Sequence, residues 1–189
     1  MSAATLTPRI GEPDIECRYP VIIGEDRVIG LAYRWHRDWL VVTTEDERNL
    51  RRPPTGTKGI DMAAAYLAEE YAAGRITATG LEQLRAEAPQ PLTGPVPLLH
   101  PRMPVTGRNV AGALTAFAGL AEHHWRAVLH GFPGSDNPWY LLCELCGWSG
   151  VRYWSHHRGR NNQPPSPYRH DGGCIGKDKV RALIPAYSK

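Results

Sequence analysis

The chain has 189 residues, of which 42% are hydrophobic and 8% aromatic, and it carries 22 basic side chains, 19 acidic side chains and four cysteines. This length fits one compact domain or two small ones, and the apolar content is enough to bury a core, which excludes a wholly disordered chain. No apolar run approaches the roughly 20 residues that span a bilayer, the first residues lack the apolar stretch of a secretory signal, and four cysteines are too few for a disulfide scaffold. We therefore expect a cytoplasmic protein with no membrane partner.

Three strand-like segments open the chain. They are rich in branched and aromatic residues, short turn sequences separate them, and they comprise residues 15–24, 27–35 and 39–44. Strands joined by short turns pair antiparallel, so the pattern predicts a small three-stranded antiparallel sheet. Cys17 falls within this pattern and is expected to be a buried core thiol.

Two helices are predicted to follow the strands. Apolar residues recur at three- and four-residue spacing from Ile60 onward, and Gly74 is a natural helix stop. A shorter helical pattern covers residues 79–88 and ends at Pro89, which cannot continue a helix. Residues 14–88 are therefore predicted to form an N-terminal domain made of the sheet and its helices.

A proline-rich segment separates this domain from the rest of the chain. Residues 89–104 contain six prolines, which remove backbone donors and favour an extended chain. We interpret residues 89–106 as a semi-rigid linker and residues 107–189 as a second domain.

The second domain begins with a helix and continues with strands. Its predicted elements are a helix over 109–122, a strand over 125–132, a hairpin over 139–154 and a closing helix within 175–187. The first helix is rich in small residues. Leu114, Phe117, Ala118 and Ala121 fall on one face of it, and this face is expected to pack closely against a sheet.

Four potential metal ligands fall in this domain. Cys143 and Cys146 form a Cys-x2-Cys pair, in which two thiolates can bind one ion from a tight turn, and Gly147 permits the positive φ that such a turn often has. His170 and Cys174 form a His-x3-Cys pair further along. Four nitrogen and sulfur ligands match a tetrahedral Zn2+ with no open position, which is typical of a structural site. The predicted fold class is therefore α+β, with a small antiparallel three-stranded sheet plus helices followed by a ββα-like C-terminal lobe that zinc holds together.

Two alternatives remain open for these residues. A Cys-x2-Cys pair can be redox-active, although the βαβ context of that motif is absent from the sequence. His156 or His157, which follow Cys146 closely, could replace His170 as the fourth ligand.

The ligand pattern resembles the treble-clef and zinc-finger modules, in which a cysteine turn and a hairpin precede a ligand pair at a terminal helix. The resemblance covers residues 138–187. It rests on Cys143, Cys146, Gly147, His170 and Cys174. It implies a module that binds nucleic acid or protein. The 23 residues between Cys146 and His170 depart from the compact two-Cys two-His finger, so the three-base reading mode of that finger is not implied.

Basic residues are concentrated at the carboxyl end of the chain. Residues 151–189 contain eight basic and two acidic side chains, whereas the net charge of the whole chain is only +3. Such a concentration attracts phosphate groups, and neighbouring aromatic and amide side chains can stack on bases or bond to their edges. The residues predicted to contact nucleic acid are Arg152, Arg158, Arg160, Lys177, Lys179 and Arg181. DNA is favoured over RNA as the partner, and a protein partner or a purely structural role is the alternative.

The N-terminal pattern offers a second argument for DNA. Three strands followed by a helix, with Arg34, Trp35 and Arg37 on the sheet, are similar to the three-stranded DNA-binding domains of phage integrases. In that family the sheet lies in the major groove. An ordinary α+β scaffold is the alternative, since Glu45 and Asp46 place negative charge beside the sheet.

An enzymatic alternative comes from the order of the cysteines and histidines, which is similar to that of HNH-type nucleases. In this alternative His157 is the general base, His156 or Asn161 orients it, and His170 helps to hold a catalytic divalent ion. The second Cys-x2-Cys pair of the zinc-braced nucleases is missing, since only Cys174 is present, and Ser155 stands where those enzymes carry an acidic residue.

These observations predict a zinc-stabilised, non-enzymatic nucleic-acid-binding protein with an accessory or regulatory role, of the kind that phages and mobile elements encode. The alternatives are an HNH-like metal-dependent nuclease and a protein–protein interaction adaptor.

Overall fold

The computed structural model describes residues 7–159 and 163–188. It divides the chain into two compact units, Met1–Pro89 and Gln90–Lys189, each with its own antiparallel sheet and helices. The predicted α+β class is therefore confirmed.

The first unit is built on a six-stranded antiparallel sheet. Its strands are β1 (Arg9–Ile10), β2 (Tyr19–Ile23), β3 (Arg27–Trp35), β4 (Asp38–Val42), β5 (Glu47–Asn49) and β6 (Thr79–Gly80). Five of them follow the order β1-β2-β3-β4-β5, and β6 pairs with the first two residues of β3. The three predicted strands are confirmed as β2, β3 and β4. The other three were not predicted, because two or three residues are too few to show an apolar alternation.

Two helices complete the first unit, close to the predicted positions. Helix α1 (Gly59–Ala72) packs on β3 and β4, and helix α2 (Leu81–Glu87) follows β6. Helix α1 passes directly over Gly30 of β3. A Cβ at this position would lie only 2.8 Å from Cδ2 of Leu67, so the close approach of the helix requires a glycine here. Cys17 is buried, as predicted.

The second unit combines a three-stranded antiparallel sheet with three helices and a 3-10 turn. Its elements are α3 (Gly107–Glu122), β7 (Trp125–Ala127), β8 (Trp139–Cys143), β9 (Ser149–Arg152), α4 (Trp154–His157), α5 (Lys177–Leu183) and a 3-10 turn over Pro185–Tyr187. The strands follow the order β7-β8-β9. The predicted hairpin is therefore β8 and β9, with the Cys-x2-Cys pair where they meet.

Helix α3 packs mainly through its small residues. Ala116 and Leu120 are buried, whereas Leu114 is 58% exposed. The prediction that Leu114 faces the sheet is therefore wrong, and only Phe117 packs as expected, with its ring edge-on to Trp139. Ala118 and Ala121 of the predicted face are exposed as well, and the alanines that are buried are Ala113 and Ala116.

Nearly all of the proline-rich segment belongs to the second unit and makes backbone hydrogen bonds within it. The backbone N–H of Leu92 donates to the carbonyl of Val128 at 2.8 Å, and that of Phe132 donates to the carbonyl of Leu98 at 3.0 Å. His100 in turn donates its N–H to Phe132 at 3.1 Å. Residues interpreted as a linker from the sequence thus lie along the stretch from Val128 to Phe132 that follows β7, and Leu99 and Phe132 form an isolated parallel bridge.

The longest helix within 7–159 and 163–188 is α3, with 16 residues. No helix in these ranges combines the length and the apolar character needed to cross a bilayer.

Candidate metal centre

Three sulfurs and one imidazole nitrogen converge in the second unit. The donor atoms of Cys143, Cys146, His170 and Cys174 all lie within 4.8 Å of one another. The sulfurs of Cys143 and Cys174 are 3.6 Å apart, and the sulfur of Cys146 lies 3.2 Å from Nε2 of His170. None of the cysteines is in a disulfide. The four ligands predicted from the sequence are therefore brought together as a set that could hold a metal ion.

The first ligand pair is held by the turn between β8 and β9. The backbone N–H of Gly147 donates to the carbonyl of Cys143 at 2.8 Å, and the N–H of Cys143 donates to the carbonyl of Trp148 at 2.7 Å. Gly147 has φ +78, a left-handed conformation that glycine adopts without strain. This turn places the sulfur of Cys146 beside that of Cys143, as the Cys-x2-Cys-Gly spacing predicts.

The second ligand pair comes from a glycine-rich loop that runs into α5. Gly172 and Gly173 have φ +86 and +79, and Cys174 itself has φ 52. The N–H of Gly173 donates to the carbonyl of His170 at 3.1 Å, which closes the loop between the two ligands. Helix α5 begins three residues after Cys174, so the metal ligands lie at the base of this helix.

His170 presents the correct nitrogen to the cluster. Its Nδ1 lies 2.6 Å from the carbonyl oxygen of Asp171, which can only accept, so Nδ1 carries the proton and Nε2 is free to bind a metal. The imidazole stacks on the indole of Trp148 with a centroid distance of 4.5 Å and an interplanar angle of 2°. His156 and His157 lie outside the cluster, so His170 is the histidine of this set.

The thiols of the cluster differ in acidity. Burial raises the pKa of the Cys143 thiol, but the hydrogen bond from Arg169 and the N–H of Leu145 outweigh burial, and the pKa is lowered from its usual 9.0. Burial and the hydrogen bond with Cys143 raise the pKa of Cys174 to about 12. Metal binding requires all three thiolates, so a bound cation would have to displace the proton of Cys174.

The predicted nucleic-acid contacts fall into three groups. Those with exposed side chains are Arg158, Lys177, Lys179 and Arg181. Arg152 is instead packed against the Trp125 ring at 5.9 Å, and burial lowers the pKa of its guanidinium. Arg160 lies outside the described residues. The exposed cations are thus on α5 and just after α4.

The histidine proposed as a nuclease base is enclosed in the core. His157 is 2% exposed and contacts the rings of Trp125 and Trp154. Burial, followed by the charge of Arg152, lowers the pKa of His157 to about 3. A general base has to reach the proton that it removes, and this imidazole has no such access. The geometry therefore gives no support to a catalytic His157, and Asn161 lies outside the residues that the structure describes.

Two side chains that contact the ligands were not predicted from the sequence. Trp148 stacks on His170, and Arg169 donates to the sulfur of Cys143 at 3.3 Å. In the sequence, nothing but its position distinguishes Arg169 from the other basic residues of the chain. Its position directly before a ligand is the one local signal that could have marked it.

Comparison with family models, with curated proteins and with solved structures finds no match to this chain. The resemblances to treble-clef modules and to integrase domains therefore gain no support beyond the ligand set itself. The function has to be argued from the geometry of the second unit.

Proposed function

We propose that the chain is a zinc-stabilised nucleic-acid-binding protein with an accessory or regulatory role and no enzymatic activity of its own. The observation that carries the proposal is the convergence of three sulfurs and one imidazole at the base of α5, a short helix that exposes three basic side chains and one acidic side chain. The metal centre would fix this helix relative to the sheet.

The donor set suits zinc. Zn–S bonds of about 2.3 Å and Zn–N bonds of about 2.0 Å in a tetrahedron separate two sulfurs by about 3.8 Å, and a sulfur from a nitrogen by about 3.5 Å. The observed separations of 3.6 Å and 3.2 Å are close to these edges. Since four protein ligands fill the tetrahedron, no position is left for a substrate or a reactive water, and the role is stabilisation.

The cations of α5 suit phosphate. Lys177 and Arg181 are four residues apart and therefore share one side of the helix. Arg181 lies 3.9 Å from Asp178, and within the described part of the chain Lys177 and Lys179 have no acidic partner. Exposed, unpaired ammonium groups are the side chains that release counterions when they meet a phosphate backbone. Duplex DNA is the partner that we propose.

Salt-dependent binding tests this proposal. Fluorescence anisotropy with labelled duplex DNA and with single-stranded RNA gives the slope of log affinity against log salt concentration. A variant that combines Lys177→Gln, Lys179→Gln and Arg181→Gln is expected to bind more weakly and to reduce that slope by about three, or one per lost phosphate contact. The matched control combines Lys58→Gln, Arg85→Gln and Arg108→Gln, which are exposed basic residues elsewhere in the chain, and it is expected to bind as the wild type does.

Two outcomes would overturn the proposal. Wild-type affinity that does not change between low and high salt would exclude a phosphate-binding surface, and it would leave the protein adaptor as the alternative. Nicking of plasmid DNA with Mg2+ or Mn2+ that is lost in the His157→Ala variant would show that the protein is an enzyme.

The Cys146→Ser variant tests whether zinc binding and DNA binding are connected. It removes a metal ligand whose side chain is exposed, and it is expected to lose affinity for both zinc and DNA.

A further inference from the structure

Arg169 is the most deeply buried basic side chain of the metal-binding region. It is 2% exposed, and its guanidinium lies 4.5 Å from the centre of the Trp125 ring. Four hydrogen bonds hold it. Nη1 donates to the carbonyl of His123 at 2.7 Å and to the Tyr187 hydroxyl at 3.4 Å, and Nη2 donates to the carbonyl of His124 at 3.1 Å and to the sulfur of Cys143 at 3.3 Å.

This buried cation has no carboxylate partner in the part of the chain that the structure describes. A charge in the interior is costly unless an opposite charge compensates it. Of the four acceptors, two are carbonyls and one is a neutral phenol. The sulfur of Cys143 is the acceptor that carries a full negative charge when it binds a metal.

The charges of the proposed centre balance when Arg169 is included. Three thiolates, one neutral imidazole and one divalent cation have a total charge of −1. Part of that excess negative charge would lie on the sulfur of Cys143, which is fully buried, whereas Cys146 is exposed. Arg169 brings one positive charge into hydrogen-bonding contact with it, so that the metal centre and the arginine together are neutral.

The same side chain reaches the end of α3. The carbonyls of His123 and His124 follow the last turn of this helix, where backbone carbonyls lack intrahelical partners and the helix dipole is negative. Because one planar guanidinium bonds both these carbonyls and the ligand sulfur, the arginine connects the helix end to the metal centre.

We infer that Arg169 is a positioning residue for the metal centre: its cation balances the metal–thiolate charge, and its fork fixes Cys143 to the end of α3. This inference rests on the proposed zinc site. It assigns to Arg169 a role toward the metal and not toward nucleic acid, although the side chain belongs to the basic C-terminal region.

The test uses the full chain loaded with Co2+ or Zn2+. Arg169→Gln is expected to lower zinc affinity by about 10- to 100-fold in competition with a chelator, as is usual for residues that support a metal ligand. It is also expected to move the thiolate-to-cobalt charge-transfer band to longer wavelength, because a sulfur that loses a positive hydrogen-bond donor gives up its electron more easily. A purely structural role would not move this band.

Arg152→Gln is the matched control. It removes the same charge from a side chain that packs on the same Trp125 ring but is not bonded to a sulfur, and it should leave the band in place. If Arg169→Gln does not fold even with metal, Arg169→Lys replaces it. One ammonium cannot bond both carbonyls and the sulfur, so the band should move in the same direction by less.

The outcomes separate this inference from the proposed function. A wild-type chain that binds neither Zn2+ nor Co2+ stoichiometrically overturns the zinc site and the inference together. A wild type that binds both ions, with an unmoved band in the Arg169 variants or with an equal shift in Arg152→Gln, overturns the inference alone.

Discussion

His157 is a buried imidazole that is kept neutral by its surroundings. It lies among the rings of Trp125 and Trp154, and its Nε2 has no hydrogen-bond partner among the described residues. Burial lowers its pKa from the usual 6.5 to about 3. Protonation therefore favours the unfolded chain throughout the interval between these two values.

We predict that His157 makes the protein sensitive to mild acid. The stability that it contributes is present above pH 6.5 and is lost as the pH falls toward 3, and the loss between pH 7 and pH 5 amounts to about 2 kcal/mol. Urea unfolding with excess zinc measures this loss. His157→Leu should lose about 2 kcal/mol less over this interval than the wild type does.

His156→Leu serves as the comparison, since His156 is its exposed neighbour and shares the same metal-ligand background. Metal binding weakens in acid because the ligands must be deprotonated, but all three proteins share the same ligands, so the difference isolates His157. Equal losses in the wild type and in His157→Leu would contradict the prediction.

The metal ligands could be predicted from the sequence, whereas their supporting residues could not. Cys143 and Cys146 form a local pattern, and the conformation of a tight turn brings their sulfurs together whatever surrounds them. Arg169 has a role only because the fold places its side chain against the end of α3, which lies 45 or more residues earlier in the chain. Spacing along the sequence does not contain that information.

At the scale of elements, the contact between α3 and α4 depends on a glycine, Gly119, because a larger residue would not leave room for the ring of Trp154. Gly119 lies in the last turn of α3, directly against the indole of Trp154. A Cβ at this position would lie 2.2 Å from Cη2 of that ring. Glycine ordinarily weakens a helix interior, so its presence here reflects the close approach of the ring.

Gly119→Ala is therefore expected to destabilise the protein by about 1–3 kcal/mol, although alanine is the better helix former. Gly107→Ala is the control, because Gly107 is the exposed first residue of the same helix and a Cβ there meets nothing within 4 Å. This control should be neutral or stabilising by less than about 1 kcal/mol. Urea unfolding followed by tryptophan fluorescence measures both, and a stable Gly119→Ala variant would show that Trp154 moves without cost.

The strands and helices differ in how well the sequence predicts them. β2, β3 and β4 are long enough for their apolar residues to stand out, and α1 follows from its three- and four-residue spacing. The edge strands acquire their structure only by pairing with the strands beside them. The packing face of α3 is harder to predict, because alanines lie on several sides of this helix and do not mark which side is buried: the buried ones are Ala113 and Ala116, and not Ala118 and Ala121.

At the scale of the whole molecule, the proposed metal belongs to one unit only. All four ligands lie within Gln90–Lys189, and the first unit has a core of its own around Val21, Ile29 and Leu67. Structural zinc contributes about 10–16 kcal/mol in small zinc modules, which is comparable to the entire stability of a domain.

Chelation should therefore act on the two units unequally. We expect hydrogen exchange to become fast in β8, β9 and α5 after removal of the metal, while β2, β3 and β4 keep their protection. Mass spectrometry of peptides from the full chain, with and without chelator, measures both regions in one sample. Protection that survives chelation in β8 and β9 would show that the metal does not stabilise this fold, and equal loss in both units would show that its effect is not local.

The backbone hydrogen bonds of the proline-rich segment determine where an insertion into the chain is tolerated. Leu92, Leu98 and His100 each take part in a backbone hydrogen bond with the stretch from Val128 to Phe132. A protease site or a tag inserted among these residues would break these backbone hydrogen bonds and destabilise the second unit. An insertion at the junction of Pro89 and Gln90 would leave all three bonds intact. Leu92, Leu98 and His100 are thus the positions at which an insertion would remove a backbone hydrogen bond from this part of the chain.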